Sequence, residues 1–302
     1  MIRSDNAGLL LTDAAPAKIN LTLAVQGRRP DGYHQLESLV VFAGAEASDA
    51  LELVPGDGFR LELSGSGAAH LAREPSGSNL IEKAVAAVLR AAPRVRGGTF
   101  RLCKNLPVAA GIGGGSADAA AALRLVRRSN PDLADGIDWM RLATTISADV
   151  PVCLESRASV MEGIGEKVTP LPALPPVWAV IANPRMPLST ADVFRALAAG
   201  PLHGNGADAT LSRVPTFSGL ADLIAHLADA NNDLEGPATR LCPVIGEVRA
   251  LLAGLDGALL ARMSGSGPTC FALFAASEAA VEGARWLAAH RPEWWVRATA
   301  LH

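Results

Sequence analysis

The sequence predicts an α+β fold built as two domains. Its 302 residues exceed the usual size of a single domain. Its predicted strands come in antiparallel-looking runs mixed with helices, whereas a doubly wound sheet requires strict β-α-β alternation. A stiff proline-rich segment, Pro170 to Pro176, is the best candidate for a linker. We therefore expect an N-terminal domain over residues 1–170 and a C-terminal domain over residues 171–302.

The strands and helices of the first half follow from apolar periodicity and from turn residues. Ile19, Leu21, Leu23 and Val25 alternate with Asn20, Thr22 and Ala24, which predicts one half-buried strand. The predictions in chain order are a strand over Ala17–Val25, a turn over Arg28–Gly32, a strand over Leu36–Phe42, a hairpin of Ala50–Val54 with Phe59–Leu63, a helix over Asn79–Ala92 and a strand over Thr99–Lys104. A helix over Ser116–Arg128 follows, with Ser116 or a neighbour as its cap and Asp118 in its first turn.

The second half continues the mixture of helices and strands. The predictions are helices over Trp139–Ile146, Thr190–Ala199, Pro243–Leu252 and Glu278–Ala289, and strands starting at Ser159 and spanning Trp178–Ala182, Ala258–Met263 and Thr269–Phe274. Ser189 or Thr190 is expected to cap the second of these helices. The polar stretch Ala207–Thr216 is predicted to be an irregular loop, to which we attach no function.

The composition indicates a protein with well-filled cores and no nucleic-acid partner. Hydrophobic residues make up 49% and charged residues 19%, and the formal net charge is −3 without a long run of Lys or Arg. Aromatic residues are only 4%, so the cores must be largely Ala, Leu and Val. No stretch reaches the ~20 apolar residues that cross a bilayer, and the N-terminal segment is too short and too acidic for a signal peptide. We expect a soluble, cytoplasmic protein that does not bind membranes.

The cysteines indicate free thiols. Four of them are far apart and form no CxxC pair, which makes a disulfide framework or a zinc site improbable. We expect buried free thiols at Cys103, Cys153, Cys242 and Cys270.

The stretch from Pro107 to Ala117 is the most informative part of the chain. Gly113, Gly114 and Gly115 allow tight turns and a close backbone approach to a ligand, and a predicted helix follows directly. A glycine loop that opens onto a helix N-terminus binds anions, because unpaired N–H groups point at the ligand. No Gly-Lys-Ser/Thr closes the loop, so it is not a Walker A motif. A bound phosphate would need a cation from elsewhere in the chain.

Lys18 and Asp149 are candidates for the remaining roles in phosphoryl transfer. Such a reaction needs a phosphate cradle, a group that orients the acceptor hydroxyl, and a cation. The glycine loop, Asp149 and Lys18 fill these roles in that order. The alternative for Lys18 is a solvated charge at a strand edge, and the alternative for Asp149 is a helix-end or turn residue.

Two further stretches allow a functional and a plain interpretation. Ser264-Gly265-Ser266-Gly267 is either a tight connection between strands or a backbone that passes close to a ligand or to the first glycine loop. Tyr33 and His34 are either surface or half-buried residues, or a pair that stacks on a base and hydrogen-bonds its edge.

Three motifs in the chain resemble those of the GHMP kinases: Pro16–Leu21, the loop Pro107–Ala117, and Met263–Pro268. Four local matches point to one member of the superfamily, namely Arg29–His34, Ser147–Pro151, Glu162–Glu166 and Asn232–Glu235. The matches extend from about Pro16 to Phe274. The resemblance implies a ribosomal S5-like N-terminal domain that binds ATP and a ferredoxin-like C-terminal domain.

The resemblance also implies a reaction, in which ATP with Mg²⁺ phosphorylates the 2-hydroxyl of a cytidyl-diphosphate methylerythritol in non-mevalonate isoprenoid synthesis. It makes Asp149 the catalytic base and Lys18 its cationic partner. The loop that would wrap the ATP phosphates comprises Pro107, Val108, Ala109, Ala110, Gly111, Ile112, Gly113, Gly114, Gly115, Ser116 and Ala117. The substrate would be bound by Asn20 and His34, with Tyr33 on one face of cytosine and Phe194 on the other.

The same resemblance places Asn79 and Lys104 near the adenosine. No set of metal ligands is evident in the sequence, and Ser116 is the candidate for a contact with Mg²⁺. We expect a monomer or a homodimer.

Two other functions stay open at this point. A different superfamily kinase would act on homoserine or a mevalonate, whose lack of a base leaves Tyr33 and His34 unexplained. A nucleotide sensor without catalysis is the second, and the presence of both Lys18 and Asp149 argues against it.

Overall fold

The structure is a computed structural model that describes residues 10–73, 75, 77–202 and 214–302. By their contacts these residues form two compact units. The first unit contains the chain up to Pro16, Ser48–Val108 and Gly114–Leu154, and the second contains Ala17–Ala47, Ala109–Gly113 and Glu155–His302. The predicted boundary at residue 170 lies just before the irregular stretch 171–176 and stays a prediction.

Helices and strands alternate irregularly along the described chain. The strands are β1 (Leu11–Pro16), β2 (Lys18–Asn20), β3 (Ala24–Arg28), β4 (His34–Phe42), β5 (Ser48–Pro55), β6 (Phe59–Ser64), β7 (Gly98–Cys103), β8 (Ser159–Gly163), β9 (Lys167–Pro170), β10 (Val177–Asn183), β11 (Leu260–Met263), β12 (Cys270–Phe274) and β13 (Trp295–Leu301). The helices are α1 (Ala68–Leu71), α2 (Leu80–Ala91), α3 (Gly114–Ser129), α4 (Pro131–Ala134), α5 (Trp139–Thr144), α6 (Val150–Glu155), α7 (Thr190–Leu197), α8 (Leu220–Ala228), α9 (Glu235–Leu241), α10 (Val244–Ala253) and α11 (Ser277–His290), with a short 3₁₀ turn at Ala45–Ala47.

The first unit has a sheet in the order β1-β5-β7-β6. β6 runs parallel to β7, and the other neighbours are antiparallel. The predicted hairpin of β5 with β6 is therefore wrong, because β7 lies between them. Parallel neighbours need a long crossover, and α2 supplies it between β6 and β7. The alternating exposure of β6 fits a strand at the sheet edge.

Helices α2 and α3 pack against each other in the first unit. Asn79 caps α2, since its Oδ1 accepts the Ile81 N–H at 2.9 Å. The predicted start of α3 is wrong by two residues, because Gly114 and Gly115 are already helical. Ser116 therefore lies inside the first turn instead of capping it, and Asp118 lies beyond that turn. The buried side chains of α3 are largely alanines, which are small enough to let neighbouring elements pack closely in a core with few aromatic residues.

The second unit contains two sheets, one in the order β2-β4-β8-β9 with β3 beside β4, the other in the order β11-β12-β10-β13. The single strand predicted over Ala17–Val25 is wrong. The regular pairing with β4 is interrupted between Asn20 and Ala24, where the Leu23 N–H donates to Asn231 O at 2.9 Å, and it resumes in β3. All three residues of β2 are buried, whereas the alternation of apolar and polar residues predicted that one face of the strand is exposed.

Most of the other predicted elements are confirmed within a few residues. Ser189 caps α7 by accepting the Asp192 N–H. The sequence did not predict the strands β1 and β13 or the helices α1, α4, α6, α8 and α9. Residues 207–213 of the predicted polar loop lie outside the described residues.

The thiol prediction is confirmed at three positions. Within the described residues none of the four cysteines forms a disulfide. Cys153, Cys242 and Cys270 are buried, whereas Cys103 is partly exposed and its predicted burial is wrong. Cys103 ends β7, where alternate side chains reach the surface.

Among the described residues, no helix combines the length and the apolar character needed to span a membrane.

Candidate functional site

Two glycine turns of the second unit are in direct backbone contact. Gly111 has a φ of +73°, and a Cβ on it would lie 2.6 Å from Gly267 O and 2.9 Å from Ser264 O. A Cβ on Gly265 would lie 2.5 Å from Gly111 O. Only glycine permits this approach. The second turn therefore passes against the first glycine loop, as one of the two interpretations of the sequence predicts.

Polar side chains hold this pair of turns together. Thr269 donates its hydroxyl to Ala110 O at 2.6 Å and accepts the Asn183 amide at 2.8 Å. The amide nitrogen of Asn232 donates to both Met263 O and Gly265 O at 2.8 Å. All three side chains are buried. The positions of both loops are thus fixed by hydrogen bonds that do not use solvent.

Lys18 is buried next to the first glycine loop. Lys18 is 4% exposed, and its backbone N–H donates to Ile112 O at 2.9 Å. The interpretation of Lys18 as a solvated charge at a strand edge is therefore wrong. A buried lysine is costly unless its charge has partners, and the catalytic role of Lys18 stays a prediction.

Asn20 lies two residues further along β2, beside the second glycine turn. Its N–H donates to Ser264 Oγ at 3.0 Å, and its side-chain amide donates to Ser38 Oγ at 2.8 Å. Its Oδ1 is buried and has no hydrogen-bond partner among the described residues. The second unit therefore brings Lys18, Asn20 and both glycine turns together.

His34 and Phe194 form a stacked pair in the same unit. Their ring centroids are 4.7 Å apart, and the ring planes differ by 25°. Burial, and secondarily the charge of Arg28, lowers the pKa of His34, which favours the neutral ring. Tyr33 is 60% exposed, and its N–H donates to Asp31 Oδ1 at 3.1 Å in the preceding turn. Folding thus brings together two rings from elements far apart in the chain, and their contacts with a substrate stay predictions.

In the first unit, the end of the glycine loop forms the start of α3. Ser116 is buried, with its Oγ 3.5 Å from Ser147 Oγ. Asp149 is partly buried in the turn before α6, where its carbonyl accepts the Cys153 N–H at 3.1 Å. The backbone of Asp149 lies in a turn, as one of the two interpretations predicts. The catalytic role of its side chain stays a prediction.

A buried ionic cluster supports the base of α3. Lys104 Nζ lies 2.6 Å from Asp49 Oδ2 and 2.6 Å from Asp118 Oδ2, and it would contact a Cβ on Gly114 at 3.1 Å. Burial raises the pKa of Asp118 to about 7, against the opposing effect of the Lys104 charge, while the charge of Asp49 raises it further. Asp118 therefore serves this ion pair, and its predicted role at the helix dipole is wrong.

The cluster also holds the strand that leads into the glycine loop. The second oxygen of Asp49 accepts the N–H groups of Asn105, at 2.5 Å, and Leu106, at 2.8 Å. Sequence analysis missed Asp49, because nothing local to it indicates a partner 55 residues away. The predicted proximity of Asn79 and Lys104 to adenosine stays a prediction.

The described residues contain no group of three or more His, Cys, Asp or Glu side chains suited to hold a metal ion. Mg²⁺ bound together with nucleotide phosphates needs only one or two protein oxygens. The Ser116 hydroxyl at the start of α3 is chemically suited to such a contact. The residues present therefore fit a magnesium ion that arrives with ATP, and they do not form a separate cage for it.

Comparison with known proteins yields two family profiles and many relatives. The profile of the GHMP kinases N terminal domain matches residues 79–157, and that of the GHMP kinases C terminal matches residues 216–289. A 4-diphosphocytidyl-2-C-methyl-D-erythritol kinase of Rhodopseudomonas palustris is 48% identical, with 96% of this chain and 98% of the relative covered. One of Parvibaculum lavamentivorans is 51% identical, with 96% and 98% covered.

Solved structures agree with these relatives. A crystal structure of 4-(cytidine 5'-diphospho)-2C-methyl-D-erythritol kinase is 34% identical, with a TM-score of 0.74 over 96% of this chain and 99% of that chain. A homoserine kinase from Cytophaga hutchinsonii has a TM-score of 0.67 at 18% identity over 99% of this chain and 96% of that chain, a likeness of fold alone. The two-domain α+β fold expected from the sequence is thereby confirmed.

Proposed function

The chain belongs to the family of 4-diphosphocytidyl-2-C-methyl-D-erythritol kinases within the GHMP kinases, and from this premise we propose how its residues carry out the reaction. It is a small-molecule kinase with ATP as cosubstrate. It phosphorylates the 2-hydroxyl of 4-diphosphocytidyl-2-C-methyl-D-erythritol, giving the 2-phosphate and ADP in the non-mevalonate isoprenoid pathway. The observation that carries the proposal is the contact between the two glycine turns, together with the hydrogen bond from the Lys18 backbone N–H to the first of these turns.

The ATP phosphates are held by the loop Pro107–Ala117. Its backbone N–H groups and the N-terminus of α3 supply partial positive charge without a lysine of its own. Lys18 supplies the full charge, which offsets the negative charge that develops on the transferred phosphoryl group. Ser116 is the residue that would contact Mg²⁺, which would neutralise negative charge on the same phosphates.

Asp149 acts on the acceptor. Its carboxylate orients the 2-hydroxyl for in-line attack and takes the proton as the new O–P bond forms and the bond to the leaving ADP breaks. Because phosphoryl transfer requires little proton transfer early on, orientation is the larger part of this role.

The cytidyl end of the substrate is recognised by the aromatic residues. Tyr33 and Phe194 stack on the faces of cytosine, and His34, held neutral by its burial, hydrogen-bonds the substrate. The stack of Phe194 on His34 supports this assignment, since a ring already held there needs little ordering on binding. Asn20 binds the polar part of the substrate.

The remaining proposals concern the setting of the enzyme. It works in the cytoplasm as a monomer or homodimer, without nucleic acid or membrane as a partner. The N-terminal domain, residues 1–170, binds ATP, and residues 171–302 form the C-terminal domain.

An ADP-release assay coupled to NADH oxidation tests the reaction. The wild-type protein is expected to release ADP with MgATP and the cytidyl-diphosphate methylerythritol, and not with methylerythritol, homoserine or mevalonate. Release with one of the latter would assign another GHMP substrate. ATP binding without release for any acceptor would support a nucleotide sensor.

Substitutions test the two catalytic assignments. Lys18→Ala and Asp149→Ala are each expected to lower kcat by at least about 10²-fold with the fold intact, as the removal of other preorganised charges does. Lys83→Ala changes an exposed lysine of α2 and serves as the matched control with unchanged kcat. Near-normal turnover by either folded variant contradicts its catalytic role.

A further inference from the structure

Ser38 is a buried serine whose hydroxyl connects two backbone segments of the second unit. It lies in the middle of β4 and is 0% exposed. Its Oγ donates to Thr22 O at 2.5 Å and accepts the Asn20 amide nitrogen at 2.8 Å. Neither bond belongs to the regular pairing of the sheet, so the role of Ser38 is not merely that of a strand residue.

The hydroxyl of Ser38 determines which way the Asn20 amide faces. A serine hydroxyl has one hydrogen to donate, and a backbone carbonyl can only accept. Because that hydrogen is used on Thr22 O, Ser38 presents only lone pairs to Asn20. The NH₂ group of Asn20 must therefore face Ser38, and the Oδ1 must face the other way.

The place where this oxygen lies is the second glycine turn. Asn20 Oδ1 would be 3.3 Å from a Cβ on Gly265, and it is buried without a hydrogen-bond partner among the described residues. A buried acceptor left unpaired costs about 1–3 kcal/mol. A ligand that donates a hydrogen bond here removes this cost, whereas a phosphate oxygen, which only accepts, adds repulsion.

The surroundings allow Ser38 no easy alternative. The Thr22 hydroxyl accepts the Leu39 N–H at 3.0 Å, which holds the Thr22 carbonyl in place. The Asn20 backbone is held by its bond to Ser264 Oγ and by its pairing with Val40. Both partners of Ser38 are thus fixed before any ligand binds.

We propose that Ser38 is a positioning residue that presents Asn20 Oδ1 as a hydrogen-bond acceptor, so that Asn20 selects a hydroxyl group of the alcohol substrate. This inference rests on the proposed function and adds to it a residue that contacts no substrate itself. It assigns the ligand group at Asn20 as a donor, which excludes the ATP phosphates from this position.

The first test is Ser38→Ala in the ADP-release assay. The KM for the cytidyl-diphosphate methylerythritol is expected to rise about tenfold, the equivalent of one hydrogen bond at ~1.4 kcal/mol, while the KM for ATP stays within about twofold. Ser159→Ala is the matched control, since this serine is equally buried on the neighbouring strand β8 and its hydroxyl donates to Arg157 O at 2.9 Å. It is expected to leave both KM values unchanged.

A double-mutant cycle separates positioning from a structural role. In the Asn20→Ala background, Ser38→Ala is expected to change the substrate KM by less than about twofold, because the amide that it orients is gone. Ser38→Cys, nearly isosteric but a weak hydrogen-bonding group, provides the same comparison if Ser38→Ala does not fold.

Three results overturn the inference: an unchanged substrate KM for folded Ser38→Ala, an equal rise in the KM for ATP, or a full effect that persists without Asn20. Each is obtained against a wild-type enzyme that releases ADP with this substrate. A wild-type protein without that activity contradicts the proposed function instead.

Discussion

Replacing Asp118 with asparagine is expected to remove a pH dependence of stability that arises in the buried cluster. In the folded protein, the Lys104 ammonium faces the carboxyl groups of Asp49 and Asp118, and all three side chains are buried. Burial raises the pKa of Asp118 from its ordinary value of 3.8 to about 7. Protonation of Asp118 leaves Lys104 with a single carboxylate, which balances the charge.

The sign and the size follow from these two values. Since the pKa of Asp118 is higher in the folded state than in the unfolded state, the stability it contributes is fully present below about pH 4. That contribution is lost as the pH rises to about 7, and nothing more is lost above it. The pKa of Asp118 is higher by about 3 in the folded state than its ordinary value. Because each pKa unit corresponds to ~1.4 kcal/mol, the loss of unfolding free energy is ~4 kcal/mol at most.

The assay is urea unfolding followed by circular dichroism at pH 4, 5, 6, 7 and 8. The free energy of unfolding of Asp118→Asn, relative to wild type, is expected to rise through this range by an amount approaching ~4 kcal/mol. A constant offset is expected as well, since the amide NH₂ takes the place of Oδ1, which has no partner among the described residues. Asp132→Asn, at an exposed position of α4, is the control. A difference between Asp118→Asn and wild type that does not change with pH refutes the reasoning.

Three further outcomes are expected. Gly111→Ala should lower the free energy of unfolding by about 1–3 kcal/mol, because its Cβ would lie 2.6 Å from Gly267 O at a φ of +73°. The control Gly246→Ala, whose Cβ would meet a methyl group at 3.6 Å, should not lower it. Equal melting temperatures of the two variants would contradict this expectation. Lys104→Met should cost about 3–5 kcal/mol in urea unfolding, since it leaves two buried carboxylates without their cation, and a loss below ~1 kcal/mol would be inconsistent with the cluster. Iodoacetamide should label Cys103 before the buried thiols, because Cys103 is partly exposed whereas burial raises the pKa of Cys270. Peptide mass mapping measures the labelling, and equal labelling of Cys103 and Cys270 would show that exposure does not control their reactivity.

Sequence reasoning succeeded where the signal is local. Ser189 caps a helix as predicted, and one interpretation of the two glycine turns is the close backbone contact that the structure shows at Gly111. It failed where distant segments compete for the same partner. β7 takes the place beside β5, and the chain between Asn20 and Ala24 pairs near Asn231 before it returns to β4 as β3.

The candidate site shows the same division. Lys18 and Asp149 became candidates because phosphoryl transfer needs a cation and a group that orients the hydroxyl. The resemblance to a family then assigned their roles, which stay predictions. Asp49 and Ser38 were missed, since each matters only through a partner that folding brings to it, 55 and 18 residues away respectively. An isolated aspartate or serine in a strand carries no sign of such a partner.

Tyr33 gives this protein a built-in spectroscopic reporter. It is the only tyrosine in the chain, and it is 60% exposed next to the proposed cytosine site. Protein grown with 3-fluorotyrosine therefore has a single fluorine resonance, which needs no assignment. Titration with cytidine diphosphate, which has no erythritol to phosphorylate, is expected to shift that resonance, so occupancy of the base site becomes measurable separately from turnover.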